Sequence, residues 1–475
     1  MPLVQGESIS FVGPHMQSDT PYAEVLVIGA GIAGLTAAHV LKQKGVLVKV
    51  IEASNRVGGR MTSDQVDGYV IDRGAQFLST EYAVILGLLQ QLGLSKLICP
   101  TSQYSAIVRD GIPRKIRIDR PMDALTSGLL RPRAWLKLGW NSLLLSGYLR
   151  KRSLSNYSQW SAFDSEYVSA WANSAMDPEV VEYVYEPMLQ GFYFQTPENT
   201  SSAFCHALTA FGLRRAKTLT LQGGLGVLPN ELSRELDVEL NTPATRIEFL
   251  DEAVSIATPS GQFLANRVIL AVPAPTASLM LEKPVDEQSG RLLATSYSAS
   301  INVAVITDTQ FSLPEKLKDV YGLLIPRRER QGVAAIGIEN NKNRTYATTG
   351  HLLNIMLSHE FAMRCLTLND DAIVARALQS VEIHFPSLSQ HVSQAHVYRW
   401  PMAEPCSTVG RAKDLLHYRE QCTKLPPRLV LAGDYMSMPY TEGAAESGMW
   451  AAELMACTVR GSALQGQSSI CRSTE

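Results

Sequence analysis

Cysteine is scarce and poorly placed for a scaffold. Seven residues (Cys99, Cys205, Cys365, Cys406, Cys422, Cys457 and Cys471) are scattered over 475 positions, and no two form a C-x-x-C pair. That spacing excludes a disulfide framework and the common zinc sites, so no metal is expected and a reducing, cytoplasmic compartment fits best. No apolar run is long enough to cross a bilayer. An overall basic excess is missing too: the formal net charge is -2, which excludes a globally basic nucleic-acid binder. The first twenty residues lack a basic start and a long apolar stretch and contain Glu7, His15 and Asp19. Residues 1–20 therefore read as a disordered leader rather than a secretory signal, and the Ser-rich 461–475 as a flexible tail.

The near-neutral total hides an asymmetry. Lys96 to Trp160 holds twelve Lys/Arg against three Asp, a local excess of nine positive charges, so the remainder carries -11. Such an imbalance points to an acidic partner. Composition is otherwise that of an ordinary enzyme, 45% hydrophobic and 19% charged, and the length implies two joined domains.

Along the chain, the apolar run Ala23–Ile28 stops at Gly29. A helical periodicity follows through Leu35, Ala38 and Leu41 to Gly45, and a second apolar run ends at Glu52. This is a βαβ unit opening a parallel sheet. Further strands are expected at 245–250, 253–257, 267–272 and 428–434, with two helix-rich insertions between them. The predicted fold is α/β. A discontinuous Rossmann-like nucleotide-binding domain (21–80, 215–300, 396–460) is joined to a mixed α+β substrate domain (81–214, 301–395).

Gly29-Ala30-Gly31-Ile32-Ala33-Gly34 supplies G-x-G-x-x-G between strand and helix. The first glycine allows the turn, the second lets backbone approach a pyrophosphate, and the third lets helix and strand pack closely. The helix N-terminus offers N–H groups and a partial positive charge to the phosphates. Glu52, followed by Ala53, can accept hydrogen bonds from both ribose hydroxyls of an adenosine and repels a 2′-phosphate. The extension Arg56-x-Gly58-Gly59-Arg60 decides for FAD over NAD: Arg60 neutralises the pyrophosphate, and Gly58 and Gly59 let the chain pass close beneath it.

With these motifs the chain resembles the flavin amine oxidase superfamily, which includes amine oxidases, protoporphyrinogen oxidases and phytoene-type desaturases. The resemblance continues in Asp72-Arg73-Gly74-Ala75-Gln76-Phe77, the family's segment beneath the pyrophosphate, and in Thr245-Arg246-Ile247, its adenine-side strand. It returns in Ala432-Gly433-Asp434, Thr441-Glu442-Gly443-Ala444 and Ser447-Gly448. Asp434 at a strand end suits a ribityl hydroxyl, and a helix starting near Thr441 points its positive end at the flavin N1/O2 edge. The resemblance places Phe77, Trp400 and Tyr440 near the substrate cavity, although each also fits an ordinary buried aromatic.

The middle of the chain, from Tyr185-Glu186-Pro187 through Gly191-Phe192-Tyr193 and from Leu221-Gln222-Gly223-Gly224 onward, is most similar to protoporphyrinogen oxidases. Two features depart from them: the Asp434 and Thr441-Glu442-Gly443 ending is closer to desaturases or amine oxidases, and Arg411 follows Gly410 where a histidine is expected. Asn302 aligns with the lysine of amine oxidases. Cys406 reads as a structural thiol, so FAD is expected to be non-covalent. The resemblance thus implies an FAD-dependent oxidase or dehydrogenase, passing a hydride from a hydrophobic or carboxylate-bearing small molecule to flavin N5 and on to O2 or a quinone. Carotenoid or squalene desaturation and amine oxidation stay open, as does a non-redox isomerase or scaffold. No residue is assigned as acid or base, since hydride abstraction needs geometry more than a proton acceptor. Finally, Ala134–Leu149 is apolar nearly all round between basic ends. It is expected to form a substrate-domain helix buried on two sides, against a competing reading as a peripheral membrane-docking surface.

Overall fold

The computed structural model describes residues 22–117 and 119–470, with the side chains of 121 and 458–470 excepted. The expected leader at 1–20 lies outside the described residues. Two sheets organise the chain. In the first, strand β1 (Tyr22–Ile28) is flanked in parallel by β2 (Val48–Ile51) and β3 (Gly261–Leu270). Val238–Glu239 lies beyond β2, Val254–Thr258 and Arg246–Phe249 lie beyond β3, and Leu429–Leu431 also pairs with β3 in parallel. Helix α1 (Ile32–Gln43) covers the β1–β2 crossover. The C-terminal half of β1 is buried on both sides, which is why it reads as an unbroken apolar run.

The second sheet overturns one expectation. The 301–395 insertion is strand-rich, not helix-rich: it supplies β4 (Ser300–Thr307), Gly322–Leu324, Val333–Ile338, β5 (Leu352–Leu357) and most of β6 (Val392–Trp400). Tyr104–Arg109 and Ile112–Arg117 complete its far edge. β4, β5 and Val333–Ile338 are buried along their whole length, so none shows the apolar–polar alternation that betrays a half-exposed strand. The expected return to the nucleotide-binding segments at 396 falls inside β6, which pairs with β4 as far as Trp400.

Helix α2 (Ala83–Gln91) and helix α3 (Pro132–Leu149) belong to the first insertion. α3 is not buried on two sides: only Ala134 and Leu149 are buried, while Leu136 is 76% and Trp140 62% exposed. The last helix, α4 (Thr441–Ile470), continues through most of the expected tail. No described helix is long and apolar enough to cross a membrane. α4 packs on α1 so closely that a Cβ on Gly448 would sit 2.0 Å from the Ala33 carbonyl oxygen, which leaves room only for glycine. Gly448→Ala is therefore expected to cost about 1–3 kcal/mol through forced separation of the helices. Gly87→Ala, in the open interior of α2, is expected to be neutral or slightly stabilising. Thermal unfolding of the two variants side by side checks this.

Candidate active site

The glycine turn after β1 is shaped for a ligand rather than for packing alone. Gly29 takes φ +103°, with its missing Cβ directed at the Ala271 carbonyl, and a Cβ on Gly34 would lie 1.9 Å from the Gly29 carbonyl oxygen. Gly31 differs. Its φ of -70° suits any residue, and a Cβ there would meet nothing within 4 Å. The space above Gly31 is open, no side chain caps α1, and Ile32, Ala33 and Gly34 form its first turn beneath that space. Gly58 bridges to Gly31, and Gly59 passes next to it at φ +56°. Glu52 closes the other side: Oε2 accepts the Ala30 N–H at 2.7 Å, and Oε1 accepts the Ser54 N–H and hydroxyl, while Ala53 stays exposed.

Arg60 extends from this turn to the opposite end of the chain. Its Nη1 pairs with Asp434 Oδ2 at 2.7 Å and donates to the Ala403 carbonyl at 2.6 Å. Its guanidinium lies 5.6 Å over the Tyr297 ring, and the Tyr297 hydroxyl donates to Asp434 Oδ1 at 3.2 Å. Burial works against the Arg60 charge, but Asp434, then Tyr297 and Glu404, outweigh it and raise the pKa above that of a free guanidinium. Arg411, at the position expected to be histidine, is buried and donates to the carbonyls of Asp434 and Ser437. Gly433, at φ +134°, is fixed by the Ser447 hydroxyl.

Between the two sheets runs the strip from Arg73 to Phe77. The Arg73 carbonyl accepts from Asn302 Nδ2 on β4 and Trp400 Nε1 on β6, each at 2.8 Å. A Cβ on Gly74 would touch the Arg60 carbonyl and the Trp400 ring, and the Ala75 N–H donates to that same carbonyl. Gln76 is held on three sides, by its own bonds to the Asp72 and Gly74 carbonyls, by Asn354 and by Tyr321. Phe77 begins a chain of ring contacts that runs through Phe192, Tyr193 and Tyr440 to Tyr82, the last two stacked at 5.5 Å. Phe77 and Tyr440 thus share one aromatic wall, whereas Trp400 packs apart, on Gly74.

Other predicted residues take different work. The Glu442 carboxylate is spent on α2, accepting from Val84 and Ile85 N–H and from the Ser155 hydroxyl. At Glu442 only the backbone is left to face a ligand, whereas Thr441 stays partly accessible at the start of α4. Thr245 and Arg246 are exposed, and the Arg246 guanidinium pairs with Glu248 at the surface.

The family described as flavin containing amine oxidoreductase matches residues 32–456. This chain belongs to that family. The flavoprotein is 24% identical over 444 residues to coproporphyrinogen III oxidase of Mycobacterium leprae, covering 86% of this chain and 93% of that one. It is 33% identical over 192 residues to protoporphyrinogen oxidase 2 of Arabidopsis thaliana, which spans 40% of this chain but only 36% of that protein. The solved structure of cyclohexylamine oxidase from Brevibacterium oxydans superposes with a TM-score of 0.73 at 20% identity, covering 93% and 100% of the two chains. That match shows the shared fold, a mixed arrangement of parallel and antiparallel sheets with helices.

FAD is the family's cofactor, and this member is an FAD-dependent oxidoreductase. The residues present fit it: an open cradle over Gly31, a carboxylate at Glu52 and a cation at Arg60. Sequence reading missed several residues around this candidate site. Tyr82, Tyr297, Asn354 and Lys342 lie in no motif, Tyr193 and Glu404 lie in matched segments that give them no role, and only the fold brings them together. Two outcomes test the cradle. Gly31→Val should leave apoprotein unfolding unchanged but abolish FAD retention, measured as flavin absorbance per chain. Glu52→Ala should weaken FAD binding by about 1.5–3 kcal/mol, the worth of a charged hydrogen bond, and acid precipitation of the parent should release free FAD.

Proposed function

We propose that this flavoprotein dehydrogenates a hydrophobic, nitrogen-bearing ring substrate of the porphyrinogen kind, with O2 or a quinone as the final electron acceptor. The observation that carries the reading is the run of packed aromatic rings from Phe77 to Tyr82, of which Phe77 and Phe192 stay partly accessible beside the strip that would underlie the flavin. The near full-length match to coproporphyrinogen III oxidase supports it. When bound, FAD supplies a two-electron acceptor at N5. The chain's own work is to hold the ring against that acceptor and keep water out. Amine oxidation is the second reading, favoured by the shared fold with cyclohexylamine oxidase and by the free carboxyl of Glu404 beside tyrosines. Against it, Asn302 stands where the resemblance expects a lysine.

We further propose that the substrate arrives from an anionic membrane on which α3 lies. Leu136, Trp140, Leu143, Leu144 and Tyr148 are exposed along one helical face, with exposed Arg131, Arg133, Arg150 and Lys151 at its two ends. An apolar stripe between basic ends suits burial at the headgroup level of an acidic bilayer. The end of α3 also leads inward, because the Leu154 carbonyl just beyond it receives the Tyr440 hydroxyl. Two measurements test the proposal. Under anaerobic conditions a porphyrinogen should bleach the oxidised flavin within one turnover, while amines and carotenoid precursors should not; bleaching by an amine alone would favour the second reading, and none by any of them a non-redox role. In flotation, the protein should rise with anionic vesicles at low salt and lose them at high salt or on charge reversal of Arg150 and Lys151. Protein that never floats would return α3 to another role.

A further inference from the structure

One carboxyl group at the junction of the two halves of the site has no partner. Glu404 follows β6 in the turn that brings the Ala403 carbonyl onto Arg60. Its backbone is tethered: the Glu404 carbonyl accepts the Ser298 N–H at 2.8 Å, and the Ser298 hydroxyl donates in turn to the Tyr193 carbonyl at 3.1 Å. These tethers set Glu404 between Arg60 on the cofactor side and Tyr193 on the aromatic side. Oε2 is shielded from solvent and has no hydrogen-bond partner. The residue as a whole is only partly covered, so its side chain is not locked into packed protein. A buried carboxyl left unpaired costs stability. The other buried carboxyls at this junction are fully engaged: Asp434 by Arg60 and Tyr297, Glu442 by α2 and Ser155.

Resting on the reading above, we propose that Glu404 is the proton acceptor of the reaction, taking the N–H proton of the substrate as the neighbouring C–H is oxidised. The balance is simple. Converting H–C–N–H, or its vinylogous form in a porphyrinogen, into the oxidised C=N system breaks one C–H and one N–H bond. Bound FAD would supply the acceptor for the hydride and its electron pair, while the proton goes to Glu404 Oε2 and from there to solvent, which restores the carboxylate. Purely hydrocarbon desaturation lacks this N–H, so the assignment also selects a nitrogen substrate.

The surroundings tune Glu404 for this role. Burial disfavours its charge most strongly, Arg60 favours it, and Asp434 opposes it; the net effect raises its pKa well above the carboxylate range. Tyr193, Tyr82 and Tyr297, the other titratable groups at the junction, are themselves raised by burial and stay neutral. A base of raised pKa is a stronger acceptor near neutral pH, and it must be ionised to act, so the rate should fall as pH drops through its pKa.

The test compares parent, Glu404→Gln and Glu404→Asp, each loaded with FAD. Without substrate, the absorbance of bound oxidised FAD in the parent should titrate with one midpoint above the ordinary carboxylate range. Glu404→Gln should lose that titration and Glu404→Asp keep it. With whichever substrate bleaches the parent, anaerobic reduction by Glu404→Gln should slow by about 10²-fold or more and lose its acid limb, with Glu404→Asp recovering part of the rate. A Gln variant that titrates like the parent, or reduces at the parental rate with an unchanged pH profile, overturns the assignment. Because the titration uses no substrate, it reads Glu404 even if every porphyrinogen and amine fails, an outcome that would sink the substrate reading instead.

Discussion

A single buried carboxylate joins the parts on which the site is built. Asp72 is out of reach of solvent, and three different regions use it: Oδ1 accepts the Ser63 hydroxyl and the Leu225 N–H, while Oδ2 receives Lys342 Nζ at 2.6 Å. Lys342 is also fully buried and reaches Glu339 at 3.0 Å, with the Tyr346 ring 5.1 Å away. Breaking such a pair leaves an uncompensated internal charge and typically costs about 3–5 kcal/mol, so its members stand or fall together. The strip from Arg73 to Phe77 begins immediately after Asp72. Its height between the two sheets is thus set by an ion pair whose partner comes from the second sheet's side of the molecule.

The cofactor side and the substrate side share a continuous apolar core, and a few polar atoms fix how they register on each other. The Arg73 carbonyl is shared by Asn302 and Trp400, Gln76 is held by Asn354 and Tyr321, and Arg60 spans from the glycine turn to Asp434. Hydrogen bonds of this kind fix position more sharply than dispersion contacts do, because they weaken steeply with angle. A site that must hold a ring against another ring benefits from that sharpness, since misplacement of about 1 Å can cost about 10²-fold in rate.

What was legible in the sequence follows the same division. The glycine turn, Glu52, Arg60 and the strand-to-helix passage through Asp434 are local: backbone conformation and close approach demand particular residues at fixed spacing, so they can be read in order. Even there, local reading stopped at the residue. Glu442 was expected at the cofactor, yet its carboxylate caps a helix 357 positions away in the chain. The second sheet was hidden because its central strands are buried on both faces and carry no alternation. For α3, the apolar content of the helix was plain, but which face remained open depends on what packs against it. Glu404 lies in the matched segment after Trp400, yet nothing in the sequence sets it apart; its meaning comes from an Oε2 without a hydrogen-bond partner, which only a folded arrangement reveals.

Glu442 carries one more consequence. Its two oxygens receive the first N–H groups of α2, whose N-terminal neighbour Tyr82 stacks on Tyr440, one residue before α4 begins. The helix that would face the cofactor and the wall that would face the substrate are therefore tied together by these contacts. A rotation of α4 on loading would carry Tyr82 with it, and cofactor occupancy and chamber shape would then be linked. By reciprocity, a molecule that wedges open the aromatic wall alters the grip on the cofactor by the same free energy.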